Sequence, residues 1–344
     1  MEVIQRQRRR RIGILVGMAI LLIVATFIAL NFGRYSLSLA DVRQTFHLLL
    51  RGKAATIPRE HYLVIANIRL PRLSANICIG AALAVSGATF QALFENPMAS
   101  PNVLGVNHGA SLGAALAIIS YASNQVTILA AFVMGLLAVG VTFAVSRLFR
   151  MQRTLALLLA GMVIGSLFQA ALSYVKLIAD VENALPEITY WLMGSFSSIT
   201  WQRVNMILVP MLIGFVIIFG QAKALNLLTL GEEKAKTLGI HLRWTQGLLI
   251  LTATLLTASS VAVTGMIGWV GLVVPHICRL IIGQDYRYLL PCSALFGAIF
   301  MVCIDTVARS WAQTEIPIGI LTALIGAPIF FSLLIGGKGD GFNR

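Results

Sequence analysis

Residues 69–105, RLPRLSANICIGAALAVSGATFQALFENPMASPNVLG, decide how this chain folds. Arg69 and Arg72 stand at i and i+3 around Pro71, and from Leu73 to Phe94 no charge interrupts a run of apolar and small residues. A run of about 20 such residues matches a hydrocarbon layer roughly 30 Å thick. It stops at Glu95-Asn96-Pro97, where two polar residues and a proline end the helical pattern. The stretch reads as a membrane helix with a basic mouth at one end and a non-helical turn at the other. A simple anchor needs neither.

The rest of the chain falls in the same class. It is 58% hydrophobic and 11% charged, with a mean hydropathy of +0.86, outside the range of soluble domains. Ten apolar spans can be read: 12–32, 73–94, 103–121, 125–146, 154–176, 204–221, 245–265, 267–283, 288–308 and 317–335. In lipid each segment has to satisfy its own backbone hydrogen bonds. The expected fold is therefore an all-α polytopic membrane protein of about ten transmembrane helices, one membrane domain over 1–344. Arg6 and Arg8 to Arg11 precede the first span as in a signal peptide. No small-residue cleavage site follows, so that span is expected to stay as a helix.

A net charge of +13 suggests nucleic acid or anionic lipid as a partner. Its placement favours lipid and argues against nucleic acid. Most Lys and Arg fall in segments that share a side with the basic stretch 1–11, so the N-terminus is expected inside, and ten spans return the C-terminus to the same side. The exception is the first outer loop, 33–68, which with the adjoining Arg69 and Arg72 is rich in basic residues and resembles a docking surface for an acidic partner.

Catalytic and metal chemistry find little support. Cys78, Cys278, Cys292 and Cys303 share no metal-type spacing and read as small core residues. The histidines are scattered without an HExxH pairing. No GxxxxGK[ST] is present to cradle ATP phosphates, and Gly336-Gly337-Lys338 lacks the upstream glycine and the following hydroxyl. No nucleophile and base stand at motif spacing.

A weak internal repeat runs through the spans. Leu83-Ala84-Val85-Ser86-Gly87 is followed by Pro97 and Gly105, and at an offset of 178 Val261-Ala262-Val263-Thr264-Gly265 is followed by Pro275 and Gly283. Five spans separate the copies, so they would cross in opposite directions, as in the inverted repeats of many transporters. Gly109/Gly113 and Gly161/Gly165 form GxxxG pairs, expected to be helix contacts within the chain. Residues 222–244, AKALNLLTLGEEKAKTLGIHLRW, interrupt the membrane pattern. Gly231 precedes a short helix with Glu232 and Glu233 in its first turn, where they suit the dipole, and Gly239 fits its stop. Ala235 and Leu238 are expected to share its apolar face. The segment suits either a linker helix or transmission of force from a soluble partner.

RLPR, GAALAVSG, FENPMASPNVLGV, LGEEKAKTLGI, GMIGWVGLVVPHICRLIIG and EIPIGILTALIGAPIF, in this order, closely resemble the permease subunits of type II ABC importers, the FecCD-type family of iron-siderophore, haem and cobalamin uptake. The resemblance runs from about Arg34 to Leu334. It implies a multi-pass protein of the bacterial inner membrane, with ten helices, paired with a second permease subunit, identical or homologous. Two ATP-binding-cassette subunits would bind below, using ATP and Mg that this chain does not hold, and a substrate-binding protein would dock above. By the same resemblance the coupling loop, Gly231, Glu232, Glu233, Ala235, Leu238 and Gly239, would sit in a cleft of the ATPase. Arg69, Arg72 and Arg309 would receive acidic residues of the binding protein. Glu95, Asn96, Pro97, Met98, Met151 and Gln152 would stand near a cytoplasmic gate.

Alternatives remain at this stage. Asp305 and Arg309, at i and i+4, can pair on one helix face, and Arg69 and Arg72 can anchor at lipid headgroups. Iron-siderophore is the first expectation for cargo, with cobalamin, haem and an oxyanion such as molybdate as alternatives. An ion-coupled secondary transporter is the rival class, but it would carry more mid-membrane carboxylates than the lone Asp305. A membrane-embedded enzyme would show paired polar groups that the spans lack.

Overall fold

A computed structural model describes residues 2–33, 35, 37–52, 56–312 and 314–336. In chain order the helices are α1 Glu2–Asn31, α2 Leu39–Leu50, α3 Arg59–Tyr62, α4 Leu70–Leu93, α5 Val106–Ile119, α6 Asn124–Ser146, α7 Arg153–Ile178, α8 Ala184–Met193, α9 Trp201–Gly220, α10 Ala222–Leu228, α11 Glu232–Thr237, α12 Leu242–Thr264, α13 Val270–Ile282, α14 Tyr286–Ser310 and α15 Ile318–Gly336. A π-helical turn, Leu63–Arg69, fuses α3 to α4, giving one continuous helix Arg59–Leu93. Among the described residues seven helices are long and apolar enough to cross a membrane, and α5, α13 and α15 supply shorter apolar segments. The ten spans read from the sequence coincide with ten helices of the bundle. The short helices α2 and α8 were not foreseen. The third and eighth spans begin late, because Pro101–Leu104 forms a separate 3-10 turn and 265–269 is non-helical before α13.

Polar contacts sort the bundle into two ends. Arg11 of α1 lies 3.5 Å from Asp285 at the start of α14. This end, called here the N-face, also holds α10 and α11, through Asn226 donating to Asp285 and Gln246 donating to Glu232. At the opposite, far end Arg72 of α4 meets Asp305 near the end of α14. Asp285 and Asp305 are twenty residues apart on or next to one helix, about 30 Å along its axis. Two charged layers thus bracket a slab of hydrocarbon thickness.

The centre belongs to α4 and α12, each with 78% of its most apolar window buried, against 6% for α1 on the rim. Small residues let backbones meet there. A side chain at Gly87 would overlap the Gly271 carbonyl on α13, and one at Gly80 would overlap the Gly297 carbonyl on α14. Ser86 donates to the Ala253 carbonyl and lies 2.8 Å from the Thr257 hydroxyl, joining α4 to α12 without an unsatisfied polar group. Both GxxxG pairs are internal contacts: Gly109 and Gly113 pack on Met134 and Ala130 of α6, Gly161 on Val103 and Gly165 on His108.

The repeat is present at the level of elements, but not in the register read from sequence. A long core helix, a break, a short helix and two longer helices occur twice, as α4–α7 and as α12–α15. Gly87 sits inside α4 whereas Gly265 caps α12 with φ +74°, and Pro97 lies in a break whereas Pro275 lies inside α13. The five-residue match therefore joins non-equivalent positions.

Candidate functional site

At the far end Arg72 and Arg309 converge on Asp305, and Arg72 reaches Glu315 as well. Arg72 donates from Nε and Nη2 to Asp305, at 2.8–3.0 Å, and from Nη1 and Nη2 to Glu315, both at 3.0 Å. Asn76, one turn on along α4, donates to Asp305 Oδ2 at 2.8 Å. Arg309 is 3.8 Å from Asp305 and donates to the Ala29 carbonyl at the end of α1. Arg69 donates to the carbonyls of Leu30 and Tyr35. One guanidinium fork thus ties α4 to α14 and to the loop before α15, while its neighbours fasten α1.

Arg69, Arg72 and Arg309 are only 3, 6 and 5% exposed, each held by bonds within the chain. The i, i+4 pair of Asp305 and Arg309 exists, but Arg72 is the tighter partner. The exposed basic residues at this end are Arg43, Arg51 and Arg59. Arg34 and Lys53, part of the same basic stretch, lie outside the described residues.

At the N-face, Gly231 (φ +97°) and Gly239 (φ +89°) bracket α11, both in a backbone region that favours glycine. Ala235 is fully buried against the bundle. Glu232 points inward, accepting from Thr154 Oγ1 at 3.2 Å and Gln246 Nε2 at 3.0 Å. Glu233, Lys234 and Lys236 face outward. The helix stops at Thr237, so Leu238 falls beyond it and is exposed rather than sharing the buried face of Ala235, another correction.

The two segments expected near a gate, 95–98 and 151–152, adjoin this helix. Glu95 (φ +48°) and Asn96 are exposed, and Asn96 Oδ1 accepts from the Met98 amide at 2.8 Å, closing the turn around Pro97. Partial burial, then the Glu232 carboxylate, raises the Glu95 pKa above the usual range. Met98, Met151 and Gln152 are exposed at the same end. Through Thr154, the loop carrying Met151 and Gln152 is hydrogen-bonded to the helix carrying Glu232. No local pattern in the sequence points to that link, which joins residues 78 positions apart.

Between the two broken segments lies a cavity of about 190 Å³, bounded by Ser100, Asn102, Thr257 and Trp269 and lined by no ionisable side chain. Among the described residues no group of His, Cys, Asp and Glu is arranged to hold a metal ion.

A helical bundle with buried, broken core helices and an exposed helix at one end is the architecture of a membrane permease. Residues 21–336 match the FecCD transport family, and the chain belongs to it. The molybdate import system permease protein of Haemophilus influenzae is 40% identical over 331 residues, covering 96% of this chain and 98% of that one. The cobalamin import system permease protein of Halobacterium salinarum is 40% identical over 279 residues, 81% of this chain and 75% of its own. A solved structure described as an inward-facing conformation of a metal-chelate type ABC transporter superposes with a TM-score of 0.85 at 38% identity, covering 94% of this chain and 99% of that one. The protein is thus a multi-pass membrane permease subunit of an ABC-type importer for a metal chelate or oxyanion. It pairs with another permease subunit and works with an ATPase dimer and an extracytoplasmic binding protein. ATP and Mg are used by the ATPase partner, and this chain is not itself an enzyme.

Proposed function

We propose that the cargo is a small oxyanion of the molybdate class. The observation that carries this reading is the near full-length similarity to a molybdate permease. The cavity between the broken segments is compatible with it: Ser100, Asn102 and Thr257 stand among apolar Leu83, Ile267, Trp269 and Leu272, and no carboxylate lines it to repel an anion. Cobalamin is the second reading, favoured by the cobalamin permease of Halobacterium salinarum and by a vitamin B12 permease of Salmonella paratyphi A, 38% identical over 339 residues. The relatives compared give the iron-siderophore expectation no comparable support.

In this reading the N-face is cytoplasmic, in keeping with Arg6 and Arg8 to Arg11 and the positive-inside rule. The segment Gly231–Gly239 couples to the ATPase, with Glu233, Lys234, Lys236 and Leu238 as its contact face. Glu95–Met98 and Met151–Gln152 form the cytoplasmic gate, and the Thr154–Glu232 hydrogen bond links the second of them to the coupling helix. At the far end the binding protein docks on a surface to which Arg43, Arg51 and Arg59 contribute. Arg69, Arg72 and Arg309 hold the floor of that surface. ATPase activity of the assembly in lipid nanodiscs distinguishes the cargoes. Stimulation by binding protein loaded with molybdate, and none with cobalamin, is the expected result. The opposite pattern replaces the first reading with the second.

A further inference from the structure

Where the end of α6 meets the starts of α7 and α12, the N-face opens into a groove of about 820 Å³. Its rim carries Arg147, Arg153 and Arg243. Arg147 and Arg153 both lie over the Phe143 ring, 4.9 and 5.6 Å from its centre, so one aromatic ring gathers two like charges. Among the described residues none of the three arginines has a carboxylate within ion-pair distance. Neither α7 nor α12 carries an acidic residue in its first turn. The chain concentrates positive charge here; the Glu232 carboxylate lies near Arg153 but is held by Thr154 and Gln246 and forms no ion pair with the three arginines.

Away from the rim the wall turns apolar. Trp244, Gly247, Leu248 and Leu251 stand at i, i+3, i+4 and i+7, one stripe down α12 into the slab. Trp244 is 83% exposed and Leu251 is exposed beside it. A side chain at Gly247 would meet nothing within 4 Å, so the stripe keeps an open channel. Arginines and a tryptophan above bare leucines reproduce the order of a bilayer, headgroup level first and hydrocarbon below.

We infer that this groove seats an anionic phospholipid, its phosphate held by the three guanidinium groups and one acyl chain lying along Gly247, Leu248 and Leu251. Charge complementarity selects the headgroup. A soluble protein could cover the arginines but not leucines that descend into the hydrocarbon. Placing the lipid in the cytoplasmic leaflet rests on the orientation proposed above, whereas its binding does not.

Native mass spectrometry of the detergent-released complex, titrated with phosphatidylglycerol or with phosphatidylcholine of the same acyl chains, tests this. Wild-type protein should retain phosphatidylglycerol preferentially and keep it in excess inorganic phosphate. Arg147→Gln, Arg153→Gln and Arg243→Gln should each lower that affinity about fivefold. Gly247→Phe fills the channel and leaves every charge in place, so it should reduce retention without lowering the melting temperature. Equal retention of the two lipids by wild type, displacement by phosphate, or unchanged retention in both the triple Gln variant and Gly247→Phe overturns the assignment.

Discussion

Arg72 shows how much one side chain organises. It is buried, bidentate towards Asp305 and bonded again to Glu315. Removing one partner of such a buried pair strands the other charge, at a cost of about 3–5 kcal/mol. Arg72→Ala is therefore expected to lower the melting temperature sharply or abolish accumulation in the membrane. Arg72→Met combined with Asp305→Leu should recover part of the loss, since it replaces the tightest buried pair with apolar groups, while Glu315 and Arg309 each lose a partner. A melting temperature for Arg72→Ala equal to that of wild type would contradict the structural role. The converse is expected of Arg43→Glu with Arg51→Glu and Arg59→Glu: unchanged melting, but weaker stimulation by the binding protein. At the N-face the Arg287 hydrogen bonds hold the Asp285 pKa at about 2 instead of 3.8. A depressed carboxylate stabilises the fold above its unfolded pKa and loses that contribution as pH falls through the folded value. The melting difference between wild type and Asp285→Asn should be constant near neutrality and vanish as pH falls from about 4 to about 2. A difference that persists below that window would deny Asp285 its ion pairs.

At the scale of elements, the sequence exposed the spans and hid the contacts between them. The apolar run from Leu73 to Phe94 and the Gly231–Gly239 bracket lie within local windows, where hydropathy and turn chemistry act, and α4 and α11 appear where they were expected. Asp305 and Arg72 are 233 residues apart, so a one-dimensional pattern saw only the local Arg309. Leu238 was misplaced because helical spacing was extended one residue past the end of α11. The repeat was misregistered because small residues serve packing in both halves at different depths: Gly87 against a neighbouring helix, Gly265 at a helix end. Two predictions belong here. Gly87→Leu should prevent folding, since its side chain would enter the Gly271 backbone. Glu233→Lys with Leu238→Asp should release the ATPase while the permease keeps its melting temperature, because both residues are exposed. Co-purification of the ATPase at wild-type levels with that double variant would reduce α11 to a linker.

Over the whole molecule, two polar layers about 30 Å apart frame two broken, buried helices, with an exposed helix at one end and a charged surface at the other. Glu232 accepts from Thr154 at the start of α7 and from Gln246 of α12, so in the proposed reading a displacement of α11 reaches the loop carrying Met151 and Gln152 through a side-chain hydrogen bond. The most direct measurement is uptake of radioactive molybdate into proteoliposomes holding the permease pair and its ATPase, with binding protein outside. The account predicts accumulation that needs ATP in the lumen and ends with Glu233→Lys combined with Leu238→Asp. Accumulation without the ATPase, driven by an ion gradient alone, would contradict it.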